Sequence, residues 1–408
     1  MRACCSRAAL AAVLLLPSSA RAQTLSLTEP EALARLSIES PRVRAIRAAV
    51  ALARADVHAA GRWPNPRLTV DRESVAGTTE YITSVAQLLP INGQRGLQVH
   101  AASALVEASV SRADEEVRRA RADLRLAFAQ LAAAQVRERE LTGARDRLRE
   151  LADILTKREA AGDTAGFDRL RAEREVLDLD ADRAVAAVDR ARAQATLAAF
   201  FAEAIDPSRL VAAVTVPPPV ELPAVEALVE RAESARGEFR ALRQEIDAAQ
   251  LSARAAGRRW IPDPEIVAGT KSSSLGTGDV GSVLMAQAVI PLFDHGRAER
   301  ALADARAAQA EARATAFRIT LRAEIAALRT AVVERRETAG RYRAAAVTSA
   351  AQIERIAQVS YDAGERGILE LLDAYRTGST ARVRQAALDA AARQAEIELE
   401  YVSGWEIP

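Results

Sequence analysis

The chain has 408 residues, 56 of them basic and 55 acidic, and the signs alternate along it, so it lacks the one-sided positive footprint of a nucleic-acid binder. Only 4% of the residues are aromatic while alanine and arginine dominate, a bias that suits long helical surfaces better than a compact aromatic core. Past the first residues no window approaches the run of about eighteen apolar residues that a membrane helix needs, which excludes a helical anchor there.

The chain opens with Arg2 and Arg7, an apolar run from Ala8 to Leu16, Pro17 and the small-x-small pattern Ala20-Arg21-Ala22. These predict a signal peptide over 1–22 and a mature chain that begins at Gln23. Cys4 and Cys5 both fall in that segment, so the mature chain can form no disulfide.

A first repeat is expected over 23–215. Helical spacing runs from Glu29 to about Gly61 and stops at Trp63-Pro64-Asn65-Pro66. A β-hairpin follows over 65–91, with Ala76-Gly77-Thr78-Thr79 as its turn. Then comes a long helix over 94–161, about 100 Å if unbroken, and a shorter one over 166–203. Within the long helix Val110, Val117, Leu124 and Leu131 step by seven, and Ala134, Leu141, Leu148 and Leu155 resume the step after a three-residue shift, as in a coiled coil with one stammer. A stiff proline-rich linker, 216–223, joins this repeat to a second over 224–408: a helix, a hairpin over 264–291, a long helix over 296–362 and a helix over 366–403. Leu321, Ile325, Leu328 and Val332 give the second long helix its own apolar seam.

The two repeats keep register. Trp63, Pro66, Pro90 and Gly162 are answered by Trp260, Pro264, Pro291 and Gly364, at separations of 197, 198, 201 and 202 residues. Each expected strand has roughly the nine to eleven residues of a tilted membrane strand. In lipid every backbone donor and acceptor must be satisfied, so open hairpins have to close into a barrel. Four strands per chain enclose no useful bore, and a cyclic homotrimer with twelve strands is the smallest assembly expected to do so. The fold class that follows is mainly α with a small β part: a long coiled-coil helical barrel joined to a membrane β-barrel.

These residues resemble the TolC family of outer membrane efflux proteins over essentially the whole mature chain. The resemblance rests on the duplicated plan, on Pro90-Ile91-Asn92-Gly93-Gln94-Arg95 and Pro291-Leu292-Phe293-Asp294-His295-Gly296-Arg297 after each hairpin, and on the stretch from Tyr361 to Ala374. The Trp63-Pro64-Asn65-Pro66 start and the Gly-Gln-Arg ending further resemble the heavy-metal subgroup, typified by the cobalt-zinc-cadmium exporter. The resemblance implies a passive exit duct in the outer membrane of a Gram-negative bacterium, with a large periplasmic part, heavy-metal cations among its cargo and no cofactor. It implies docking with a periplasmic adaptor and an inner-membrane pump of the resistance-nodulation-division type.

Glu370 and Asp373 lie three apart and share a helix face after the Ala363-Gly364 break, where three copies could bring six carboxylates around one axis. Matching family positions form the acidic ring at the narrowest point; without the resemblance the same pair reads as a solvated helix face. Tyr361 and Arg366 match positions that hold the closed gate, with Asp163, Thr164 and Asp168 at the other tip as candidate partners. Gly162, Gly166, Gly364 and Gly367 suit tight turns at the tips, and their docking role comes from the resemblance alone. His58, His100 and His295 are too scattered for a metal site, and no nucleophile-base pattern or phosphate loop points to an enzyme. The alternative is a soluble periplasmic coiled-coil or adaptor-type protein, which would need further β-rich domains that the sequence does not show.

Overall fold

The computed structural model describes residues 24–162, 166–213, 220–274 and 279–406. The expected signal segment, the tip residues Asp163 and Thr164, and the linker prolines Pro217, Pro218 and Pro219 lie outside the described residues.

Strand β1 (Leu25–Leu27) leads into α1 (Glu29–Ala34) and α2 (Pro41–Ala60). The sequence reading has a single helix here. Two starts are built in instead. Thr28 and Glu31 form a capping box on α1, while Ser40 caps α2 and Pro41 occupies its first turn, where a missing N–H costs nothing. Strands β2 (Arg67–Val75) and β3 (Thr78–Leu88) are joined by Ala76-Gly77, both at positive φ, a two-residue turn tighter than the four residues expected.

Helix α3 (Gln94–Ala160) runs 67 residues without a break, about 100 Å. Its heptad leucines Leu124, Leu131, Leu141, Leu148 and Leu155 are buried, and most of the other buried positions on it are alanines that let neighbouring helices approach closely. Helix α2 meets the sheet-proximal half of α3, with Arg42 to Asp123 at 3.1 Å and Arg95 donating to the Gly61 carbonyl at 2.8 Å. Helix α4 (Gly166–Ala198) meets the distal half, with Arg137 to Asp189 at 3.1 Å and Arg169 to Glu159 at 2.5 Å. The two shorter helices thus line up end to end along the long one.

Strand β4 (Leu210–Ala212) pairs in parallel with β1, an element too short to leave a periodic signal in sequence. The pair packs on Leu124, Phe128, Leu131, Leu197, Phe200 and Phe201 halfway along α3. The second half of the chain opens with α5 (Val225–Ala235) and α6 (Gly237–Gly257), again two helices where a single one is expected before the hairpin. Arg236 between them is extended, at φ −70° and ψ 122°. Its position is fixed by close packing: a Cβ on Gly237 would lie 2.3 Å from the Ser111 carbonyl of α3, and the Gly237 N–H donates to Glu115 at 2.9 Å.

Strands β5 (Pro264–Ser273) and β6 (Val280–Ala288) precede α7 (Arg297–Tyr342), a π-helical turn over Arg343–Val347 and α8 (Thr348–Asp362), one continuous helical column. Helix α9 (Ile368–Ser403) returns along it. The expected seam residues Leu321, Ile325 and Val332 are buried against Leu228 of α5, Phe239 of α6 and Leu399 of α9. The two hairpins join through β3 and β5 into one antiparallel sheet in the order β2-β3-β5-β6, leaving β2 and β6 as open edges.

Candidate functional site

Along any one strand the alternation of apolar and polar residues is imperfect, but the register sorts the sheet by face. In antiparallel pairs directly opposed residues share a face. Leu68, Val85, Ala268 and Leu284 form one cross-strand row, and Val70, Thr83, Thr270 and Ser282 the next. Tyr81, Ile266 and Val280 lie on the same face, where the large apolar side chains are exposed in the single chain. Arg72 is the one charge on it, and its guanidinium lies 5.8 Å from the Tyr81 ring. The opposite face carries all the other charges of the strands, Arg67, Asp71, Glu73, Glu80, Glu265 and Lys271, interspersed with Val75, Ile82, Val267, Val283 and Met285. It is stitched by Lys271 to Glu80 at 2.6 Å and Arg67 to Glu265 at 2.5 Å. One face suits lipid, the other water. No helix of the described residues is long and apolar enough to cross a membrane.

At the far end of the helices the two turns come together. Gly162 after α3 and Gly364 after α8 both take left-handed backbone, at φ +83° and +75°, which a side chain would resist. Leu148, Leu151, Ala152 and Leu155 of α3, Ala172 of α4, Ala357 of α8, and Ile368, Leu371 and Leu372 of α9 form one buried cluster beneath both turns. This cluster fixes the orientation of the predicted acids. Because Leu371, Leu372 and Ala374 point inward, Glu370 and Asp373 on the first turns of α9 are left exposed on its outer side.

The predicted gate-holding residues are partly brought together. Tyr361 accepts from Arg158 of α3 at 3.5 Å, with the guanidinium 5.7 Å from its ring. Asp168, in the first turn of α4, and the side chain of Arg366 have no hydrogen bond or ion pair among the described residues. The Arg366 N–H instead closes the tip by donating to the Ser360 carbonyl at 3.3 Å, beside Glu365 N–H to the same oxygen at 2.8 Å. Sequence reasoning missed Arg158, although a basic residue in the last turn of α3 is where a helix end favours one. Nearby, Arg382 of α9 holds Glu140 of α3 at 3.0 Å and Glu354 of α8 at 2.9 Å. Partial burial raises the Tyr375 phenol above its usual range, and its hydroxyl bonds Gln358.

Midway along the helices lies a cluster the sequence does not reveal. Glu29 of α1 accepts from Arg125 of α3 at 2.5 Å and from Arg393 of α9 at 3.0 Å. Arg125 also bonds Glu400, and Arg393 reaches Glu396 at 3.1 Å. Burial opposes charge on Glu29, but the attraction of Arg393 and Arg125 together outweighs it and lowers its pKa. Deeper burial governs Glu400, whose pKa is raised despite the same two arginines. Among the described residues no group of His, Cys, Asp and Glu could hold a metal ion.

The chain thus combines a sheet that has one exposed apolar face with helices of about 100 Å that end in a packed double tip. The outer membrane efflux protein family matches residues 228–404. The cobalt-zinc-cadmium resistance protein CzcC of Cupriavidus metallidurans is 25% identical over 347 residues, 84% of this chain and 81% of that protein. A membrane protein of Pseudomonas aeruginosa superposes with a TM-score of 0.77 at 18% identity, covering 92% of this chain and 93% of that one. The Campylobacter jejuni CmeC outer membrane channel superposes with a TM-score of 0.75 at 13% identity, covering 99% and 94%. Over residues 228–404 the chain is thus similar to outer membrane efflux proteins, and over most of its length to one named for cobalt-zinc-cadmium resistance.

Proposed function

We propose that three copies of the chain close their four-stranded sheets into a twelve-stranded barrel and their helices into a continuous tunnel, a passive exit duct fed by a periplasmic adaptor and an inner-membrane pump of the resistance-nodulation-division type. The register-sorted sheet carries this reading: it has a lipid-compatible face and a charged face, yet ends in two unpaired edges that cannot stand alone in a bilayer. Heavy-metal cations are the proposed cargo, by analogy with the named resistance protein CzcC.

The packed double tip is the proposed gate. In a trimer the exposed Glu370 and Asp373 would face one another around the axis and favour cations there. Tyr361, held by Arg158 within its own chain, and Arg366, without a side-chain partner among the described residues, are the proposed gate-holding groups, with Asp163, Thr164 and Asp168 of the first repeat's tip as their candidate partners. Gly162, Gly166, Gly364 and Gly367 would leave the tips slim enough for an adaptor to approach.

The purified chain, in detergent and in planar bilayers, tests the duct. A particle of three times the 43.7 kDa chain mass, less the leader, with stepwise cation-preferring conductance is expected. A monomer that leaves bilayers impermeable, with adaptor and pump present, overturns the proposal.

A further inference from the structure

The observed pairings contain a template for the seam between copies. Moving along the chain by the spacing of Pro66 to Pro264 for the first strand of a hairpin, and of Pro90 to Pro291 for the second, carries one hairpin onto the other without slip. Arg67↔Ala86 becomes Glu265↔Gln287, and Val70↔Thr83 becomes Ala268↔Leu284, both of which are observed. The same shift applied to the β3:β5 junction yields pairs that no single chain can make, because they join the open edges β6 and β2.

We propose that β6 of one copy pairs with β2 of the next in this register. Ala288 then lies opposite Leu68 of the second copy, Ala286 opposite its Val70, and Gln287 opposite its Thr69. This rests on the barrel-closure reading above and adds to it a residue-level register. An independent observation agrees. Ala286, Ala288, Leu68 and Val70 all sit on the apolar face of their own sheets, so the face continues across the seam. In this register Leu284 meets Arg72, the one charge of that face, whereas a slip by one residue would set the two faces against each other, with Ala286 opposite Thr69 or Asp71. Followed around one copy, the register advances four residues, twelve over three copies and twelve strands. An equal number of strands and staggers corresponds to a tilt of about 36°, within the range of about 35–45° for membrane barrels.

The chain beyond the strands fits the same neighbour. After β3 the Leu89 N–H donates to the Pro264 carbonyl at 2.8 Å, and the Asn92 side chain donates to Asp263 at 3.1 Å. The equivalent residues after β6 are Ile290 and Phe293. Asn92 is 8% exposed in its junction, whereas Ile290 is 71% and Phe293 96% exposed in the single chain. Ile290 N–H therefore donates to the Pro66 carbonyl of the second copy, and Phe293 covers that copy's turn from Trp63 to Pro66. Phe293 thus puts an apolar contact where the internal junction has the Asn92–Asp263 hydrogen bond, while the backbone bond is kept.

Residues 23–408 contain no cysteine, so paired thiols report the register directly. Directly opposed strand residues have Cα atoms about 4.5–5.5 Å apart, within disulfide reach, whereas a four-residue offset adds about 13 Å. The full chain carrying T69C and Q287C, oxidised in membranes, is expected to give a covalent trimer at least tenfold faster than E73C with Q287C or V70C with Q287C. Faster linkage in either control, or a trimer in which T69C and Q287C stay unlinked, overturns the register while closure stands. A monomer in detergent with no linkage from any pair removes closure and register together.

Discussion

Arg67 of β2 reaches Glu265 of β5 at 2.5 Å by passing over Ala86 of the intervening strand. Ala86, directly opposite Arg67 on the same face, is 6% exposed. The contact joins the two hairpins across three strands, between residues 198 apart in sequence.

That bridge contributes little to stability on its own, because Arg67 remains 67% exposed in the single chain. R67A is expected to change the unfolding free energy of the detergent-solubilised protein by less than about 1 kcal/mol, measured by denaturant titration. A loss several times larger would show that the charged pair, and not the strand ladder, holds the hairpins together.

Much of the architecture is legible in sequence because periodicity survives over long spans. The seven-residue steps through Leu124 to Leu155 predict the buried seam of α3, and the proline-bounded segments predict four strands. What is not legible depends on contacts between distant residues. Nothing local says that β3 pairs with β5, or that Glu29 meets Arg393, 364 residues away. The helix breaks at Ser40-Pro41 and Arg236-Gly237 are intermediate cases. The first carries a cap and proline signal outweighed by the surrounding helical spacing; the second is forced by the closeness of α3. At the tip, the positions of Glu370 and Asp373 on an outward face follow from spacing, while Arg158 as the neighbour of Tyr361 required the packing of α3 against α8 and α9.

Two glycines make opposite predictions. A Cβ at Gly237 would meet the Ser111 carbonyl at 2.3 Å, so G237A is expected to destabilise by about 1–3 kcal/mol through displacement of α6 from α3. Gly143, inside α3, has nothing within 4 Å of an added Cβ. G143A should stabilise by about 0.5–1 kcal/mol through helix propensity. Thermal unfolding of the two variants side by side checks both; a G237A protein as stable as the parent would contradict the tight contact.

Glu29 ties stability to pH with a definite sign. Its folded pKa is lowered, so its contribution is full above the ordinary carboxylate value of 4.5 and disappears as pH falls through the depressed folded value. E29Q is expected to cost about 1–3 kcal/mol at neutral pH, with the gap to the parent shrinking as the medium is acidified below about pH 4. Chemical denaturation across that range measures it. A gap that widens on acidification would reverse the assignment.

For the proposed gate, E370A with D373A removes the exposed carboxylates without touching Leu371 or Leu372 beneath them. Single-channel recordings are expected to show weakened cation preference and weaker block by multivalent cations, with the protein folded and assembled as before. Unaltered selectivity and block would remove these side chains from the constriction.

The clasp formed by Glu29, Arg125 and Arg393 also has a place in time. A chain delivered from its N-terminus presents Glu29 early, Arg125 after somewhat less than a third of its length and Arg393 only near the finish. Leu25 likewise waits for Leu210 before its strand can form. The clasp therefore closes only once the final helix has been delivered, and a polypeptide truncated before Arg393 would lack both the closing turns of α9 and the hoop that ties its N-terminal segment to the wall.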